Sequence, residues 1–189
     1  MKTIQLLLAF IFMFSVNNII AQKYSVNTEN STVEWLGKKV TGQHEGFIDL
    51  KSGEFELEGD KFISGKFVID MNSITCTDLK DEGYNKKLVG HLKSDDFFGV
   101  ATYPTAEFTI TESTKFEDSF AEVKGNITIK GKTEEISFKV KRVGENFGAV
   151  LLVDRSKFDV KYGSASFFDN LGDKTIDDIF TLEIKLSVN

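Results

Sequence analysis

Cysteine and proline each occur once in this 189-residue chain, tryptophan once and histidine twice. A single cysteine, Cys76, excludes an internal disulfide framework. An intermolecular bridge or a reactive thiol stays open beside the ordinary fate of a lone cysteine, which is to be buried and idle. The two histidines, His44 and His91, complete no zinc spacing. His44-Glu45 has no second ligand near it in sequence, so no metal site is expected. Gly-x-Ser-x-Gly is absent, which removes the nucleophile elbow, and no glycine-rich phosphate loop occurs. The serines of Gly163-Ser164-Ala165-Ser166 read as loop residues. The acidic runs Glu54/Glu56/Glu58 and Asp177-Asp178 read as solvated faces, because a calcium loop needs closer ligand spacing. Chemistry-bearing residues are too few and too scattered to indicate an enzyme or a resident cofactor.

What is present begins with an address. Met1-Lys2 is followed by a short apolar run, Ile4 to Val16, then Asn17-Asn18 and a small residue at Ala21. This order predicts a signal peptide over 1–21, cleaved near Ala21, and an exported chain that is periplasmic or secreted. The run is shorter than the roughly 20 residues of a membrane span, and no basic stop-transfer cluster follows it. Residues 22–189 are then one domain, long enough for a sizeable core. They hold 22 basic and 29 acidic residues, a net charge of −7. That balance argues against nucleic acid and anionic headgroups as principal partners.

Period-2 alternation dominates this domain. In 62–72 the apolar set is Ile63, Gly65, Phe67, Ile69 and Met71. In 119–130 it is Ala121, Val123, Gly125, Ile127 and Ile129. In 135–141 it is Ile136, Phe138 and Val140, and in 179–188 it is Phe180, Leu182, Ile184, Leu186 and Val188. Weaker strands are predicted at 32–40, 45–51, 54–58, 105–111 and 147–153. Lys51-Ser52-Gly53-Glu54, Glu58-Gly59-Asp60-Lys61 and Lys130-Gly131-Lys132-Thr133 read as tight turns, which makes neighbouring strands antiparallel. Tyr84, Leu88 and Leu92 follow one another at one helical turn, predicting a short helix over 83–93. Residues 154–175 read as a long connection containing a helical turn, a type of loop that is often functional.

Antiparallel strands with one apolar face must close on themselves or stack. A strand over 62–72 would reach about 36 Å, which suits a tall tilted barrel better than a small sandwich. A membrane barrel would carry long polar loops, whereas the broken segments here carry Phe and Leu. The expectation is an all-β, eight-stranded antiparallel barrel with an apolar interior. Of 18 Phe, 15 lie outside the signal. Phe supplies area and shape without a polar handle, and eight strands enclose just enough room for side chains or one small ligand. Gly65 and Gly125, at inward positions, are expected to open space.

Several segments resemble the YceI-like family. They are His91-Leu92-Lys93-Ser94-Asp95-Asp96-Phe97-Phe98, then Tyr103-Pro104-Thr105-Ala106-Glu107-Phe108, then Gly125 to Thr133, and Arg155-Ser156 with Phe158. Their order is kept from Tyr24 to Val188. The resemblance implies an extended lipocalin-like barrel with a helical insertion. It implies a carrier of a polyisoprenoid, an isoprenoid quinone or a fatty-acid derivative, and no catalysis. The segment Tyr162 to Asn170 departs from the Gly- and Asn-rich run of many members, so headgroup contacts do not carry over.

On that reading Trp35, Phe47, Phe67, Ile69, Phe108 and Phe138 contact the chain of the ligand. Phe97 and Phe98 form a lid, with Phe158 in the adjoining connection. His91 and Arg155 are headgroup candidates. A helix-end role for His91 and a salt bridge from Arg155 to Asp154 or Asp159 compete with that assignment. An enzyme acting on a lipid in the same cavity, a structural or stress-response barrel without ligand, and a homodimer all stay open.

Overall fold

A computed structural model describes residues 20–189; the signal peptide expected over 1–21 lies almost wholly outside them. The described residues form nine strands: β1 (Ala21–Lys39), β2 (Gly42–Phe47), β3 (Asp49–Glu58), β4 (Lys61–Asp70), β5 (Thr105–Ser113), β6 (Phe120–Ile129), β7 (Lys132–Val143), β8 (Asn146–Asp154) and β9 (Ile179–Val188). One helix, α1 (Glu82–Lys93), lies between β4 and β5. Every pairing is antiparallel. From β3 to β9 each strand pairs with the next, and β1 pairs with both β3 and β9, which closes the ring. Only Ile48 separates β2 from β3, and both lie against β1. They act as one interrupted strand, so the barrel is eight-stranded, as the alternation predicts.

The alternations of β6, β7 and β9 hold, and that of β4 holds from Gly65 onward. Along β6, Ala121, Val123, Ile127 and Ile129 are buried. The polar set faces outward and pairs across strands, as in Lys124–Glu135 at 2.9 Å and Lys66–Glu107 at 3.0 Å. A membrane barrel has the reverse arrangement. Among the described residues no helix is long and apolar enough to cross a membrane. Turn chemistry sets the hairpins. Lys130 and Gly131 both take positive φ (50° and 72°), the requirement of a two-residue type I′ turn between Ile129 and Lys132.

Three expectations are corrected. Lys51-Ser52-Gly53-Glu54 is not a hairpin. It lies inside β3, where a bulge between Leu50 and Ser52 takes up the irregularity. In β4 the register slips where Ser64 pairs with Glu56 but Phe62 with Leu57. Ile63 is therefore extruded (43% exposed) and Phe62 is turned inward and buried. A bulge reverses the side-chain phase beyond it, which simple alternation cannot anticipate. Third, Gly65 and Gly125 do not open space. A Cβ on Gly125 would stand 2.4 Å from the Phe108 ring and from the Thr109 carbonyl, and one on Gly65 would stand 2.7 Å from Ile110. These glycines admit neighbouring side chains rather than a ligand.

Helix α1 starts at Asp81, whose side chain accepts the Tyr84 amide, and buries none of its residues fully. Its Leu92 packs against the core at the barrel end. The 154–175 connection is a loop with two 3-10 turns, Arg155–Phe158 and Gly172–Lys174.

Candidate functional site: an apolar channel through the barrel

The inward positions of every barrel strand line one cavity of about 210 Å³. On β4 and the turn after it, the lining runs from Phe62 to Met71. That is about 30 Å along the strand, or roughly 20–25 Å along a barrel axis to which strands tilt by about 40°. A volume below the ~300 Å³ of ordinary ligand pockets, spread over such a length, is a narrow channel. The reason is aromatic filling. Phe67 stacks on Phe108, and Phe108 meets Phe138 at a tilt, across the middle, with ring centroids 6.3 and 5.2 Å apart. At one end Phe55, Phe62 and Phe147 meet edge to face or tilted, at 5.0–5.8 Å. At the other, Phe97 and Phe98 lie 5.1 Å apart, with Phe180 beyond.

The structure brings together most of the residues singled out from the sequence. Trp35, Phe67, Ile69, Phe97, Phe98, Phe108, Phe138 and Arg155 all line the channel. Three do not. Phe47 ends β2 with its ring outward, 41% exposed, and its neighbour Ile48 faces the channel instead. Phe158 is fully buried, but in the core beneath the long connection. His91 sits outside the lining, its ring edge-on to Tyr162 at 4.4 Å and to Phe97 at 5.8 Å. At the Phe55–Phe62–Phe147 end the Ile63 bulge turns Phe62 inward, against the alternation read from sequence.

Arg155 is the one buried charged side chain among the described residues, 2% exposed. Its Nε donates to the Asp177 carbonyl at 3.0 Å. Nη1 donates to Val160 (2.8 Å) and Tyr162 (2.9 Å), and Nη2 to Ile176 (3.0 Å). Nη2 also stands 3.3 Å from Asp178 Oδ1, an ion pair rather than a directed hydrogen bond. The guanidinium lies over the Phe97 ring at 5.4 Å. Burial pulls the Arg155 pKa down, opposed by Asp178, Asp154 and Asp177. Burial also pushes Asp178 up, but the neighbouring Ser164 hydroxyl, the hydrogen bond from Ser166 and the charge of Arg155 outweigh it and leave its pKa lowered. Arg155 thus ties both arms of the long connection across the barrel end. The salt bridge goes to Asp178, not to Asp154 or Asp159 as the sequence suggested, and four of the five guanidinium N–H groups are taken by backbone carbonyls, the fifth lying beside Asp178.

Two further charged residues border the channel, Glu107 and Asp177. The Glu107 carboxylate is engaged by Lys66, and Asp177 offers its backbone carbonyl to Arg155. Outside the channel the fold assembles a cluster that sequence spacing did not reveal: His44, Cys76 and Asp78, with ligand atoms within 4.8 Å of one another.

A family model described as the YceI-like domain matches residues 24–188. The chain belongs to that family. It is 28% identical to Protein YceI of Escherichia coli O157:H7 over 139 residues, 70% of this chain and 68% of that one. Among solved structures it is similar to BcnA of Burkholderia cenocepacia, with a TM-score of 0.66 and 27% identity, over 85% of this chain and 98% of the other. It shares its fold with a polyisoprenoid binding domain from Saccharophagus degradans implicated in plant cell wall breakdown. There the TM-score is 0.59 and the identity 16%, over 88% of this chain and 97% of that domain.

Proposed function

We propose that this YceI-like chain is an exported carrier that holds the tail of a polyisoprenoid-type lipid inside its barrel. The observation that carries the reading is the channel itself: long, narrow, lined by apolar side chains from end to end, with its one buried charge already satisfied. Such a wall recognises length and shape, not a reactive group. The polyisoprenoid-binding domain that shares the fold supports the choice of ligand class. A quinone tail or fatty-acid derivative has the same apolar chemistry.

Magnitudes are consistent. Burying a CH₂ contributes about 0.8 kcal/mol, so one five-carbon isoprene unit contributes up to ~4 kcal/mol. Association costs ~4–15 kcal/mol in lost freedom and a micromolar complex needs about 8 kcal/mol net, so roughly three to six buried units bring binding into a useful range. The ligand makes room by displacing the Phe67, Phe108 and Phe138 rings from their present rotamers. Its polar end stays at the mouth, because Arg155 is buried and already engaged by four carbonyls and Asp178. An enzyme acting on the same lipid would need an acid or base facing the tail. The two histidines lie outside the lining and the bordering Glu107 is paired with Lys66, so the apolar wall favours the carrier.

Native mass spectrometry of protein purified from its own envelope fraction, followed by organic extraction, tests the proposal. The expected result is one long apolar lipid per chain, on a polypeptide starting near Gln22. Protein that carries no lipid and fails to bind added polyprenols, quinones or fatty acids would leave a barrel with a purely structural role.

A further inference from the structure

His44 stands on β2, while Cys76 and Asp78 belong to the strap that joins β4 to α1. The fold builds their meeting from backbone upward. The amides of Thr75 and Thr77 donate to the carbonyls of Phe47 and Glu45, both at 2.9 Å, so the strap pairs with β2 as if it were another strand. Gly46 makes this approach feasible. A Cβ there would stand 2.0 Å from the Thr75 carbonyl oxygen, which no side chain tolerates. From the other side, Asn85 on α1 donates through Nδ2 to the carbonyls of Cys76 (2.8 Å) and Leu79 (3.0 Å). The backbone carrying the cluster is therefore held on both flanks before any ligand arrives.

The side chains converge on one carboxylate. His44 Nδ1 lies 2.8 Å from Asp78 Oδ2, and the Cys76 thiol donates to Asp78 Oδ1 at 3.1 Å. The Glu45 amide also donates to Oδ1, at 3.1 Å. Burial would raise the Asp78 carboxyl, but these three donors prevail and hold its pKa at about 2. Burial pushes the Cys76 thiol up, and Asp78 adds to that. The order Cys–Asp–His matters. A nucleophilic thiol needs an imidazole hydrogen-bonded to the sulfur, whereas here the thiol and the imidazole each bond a different oxygen of the Asp78 carboxylate. The cluster is not built to activate sulfur for attack. It is one nitrogen, one sulfur and one oxygen donor on a common centre.

We propose that His44, Cys76 and Asp78 bind a zinc-class divalent cation. Zinc accepts this mixture of ligands, and three protein ligands leave the fourth tetrahedral position to water. Bonds of 2.0–2.3 Å set tetrahedral donors about 3.3–3.8 Å apart. The present spacings are hydrogen-bonded ones, all within 4.8 Å, and side-chain shifts of under about 1 Å reach the required geometry. On binding, Cys76 gives its thiol proton to solvent, His44 presents the Nδ1 lone pair with its proton on Nε2, and Asp78 is already ionised. Cys76 is buried while the His44 and Asp78 side chains are each 29% exposed, so water has access on one side only. The ion would clip β2 to the strap at the channel's rim, where Ile74 lines the lumen and the Thr75 carbonyl accepts Trp35 Nε1 at 2.9 Å.

Cobalt titration of tag-free protein, kept reduced so that Cys76 remains a thiol, reads the site directly. The expected result is a near-ultraviolet thiolate-to-cobalt charge-transfer band with tetrahedral visible bands. Both saturate at one ion per chain and are displaced by zinc. Cys76→Ser removes the charge-transfer band. His44→Ala and Asp78→Asn each weaken zinc binding at least ~10-fold by calorimetry, while His91→Ala leaves it unchanged. A wild-type cobalt spectrum without the charge-transfer band overturns the proposal, and that reading needs no variant to fold. Equal zinc affinity in wild type and a folded Cys76→Ser variant overturns it too, as does loss of binding in His91→Ala.

Discussion

Arg155 shows how one side chain can order a long loop. Its five N–H donors reach four backbone carbonyls and a carboxylate, drawn from both arms of the 154–178 segment. Buried carbonyls without partners are costly, and a guanidinium is the side chain that can satisfy several at once in a fixed fork. Arg155→Met should therefore cost about 3–5 kcal/mol and lower the melting temperature by roughly 6–20 °C. Arg155→Lys should rescue little of this, because one ammonium cannot span the same acceptors. Circular dichroism melts of the three proteins measure it. A loss under about 1 kcal/mol in Arg155→Met would mean that Phe158 and Val160 hold the connection without the network. The same reasoning separates structure from recognition. A headgroup ligand would lower affinity on removal and leave the melt unchanged, which is the opposite pattern.

At the scale of an element, β5 and β6 are joined by a glycine–aromatic pair. Gly125 lies under the Phe108 ring, and any Cβ there meets both ring and backbone at 2.4 Å. The Thr109 carbonyl cannot swing away without breaking the ladder in which Thr109 pairs with Asn126. Gly125→Ala should destabilise by about 1–3 kcal/mol, the range for overpacking a dense core. Denaturant titration should show the midpoint falling with the slope preserved. A neutral result would mean that β5 and β6 slide apart at no cost. The strands most legible in the sequence were β6, β7 and β9, whose apolar positions alternate without a bulge. The first half of β1 was not legible. Thr28 to Ser31 break its pairing with β9, between Asn27 and Thr32, and their polar side chains hide the strand. Bulges near residues 51 and 63 erased a continuous strand and reversed a face for the same reason: alternation assumes an unbroken register. Most of the channel wall was readable because it follows from Phe on apolar faces. The His44–Cys76–Asp78 cluster was not, because 34 residues separate the histidine from the carboxylate that it meets and only the β2–strap pairing brings them together.

Across the whole molecule, closure of β1 on β9 gives every strand an inner face. Two buried clusters then share one lumen, bridged by Ile69, Phe108, Phe138 and Ala149. Ala149 is the smallest of these side chains. It sits on β8 opposite Val140 and Ile184, facing the channel midway between its aromatic ends. A larger side chain at 149 grows into the channel towards the Phe108 and Phe138 rings, so the usual overpacking cost of about 1–3 kcal/mol is partly offset by the apolar area that the new ring buries. Ala149→Phe should accordingly melt close to wild type, yet block passage of a chain from one cluster to the other. The expected outcome is a folded protein that loses most of its lipid occupancy by native mass spectrometry and retains a short acyl probe better than a long polyprenol. Undiminished occupancy by a long chain would place the ligand on one side of Ala149 only, and the channel would then work as two separate pockets.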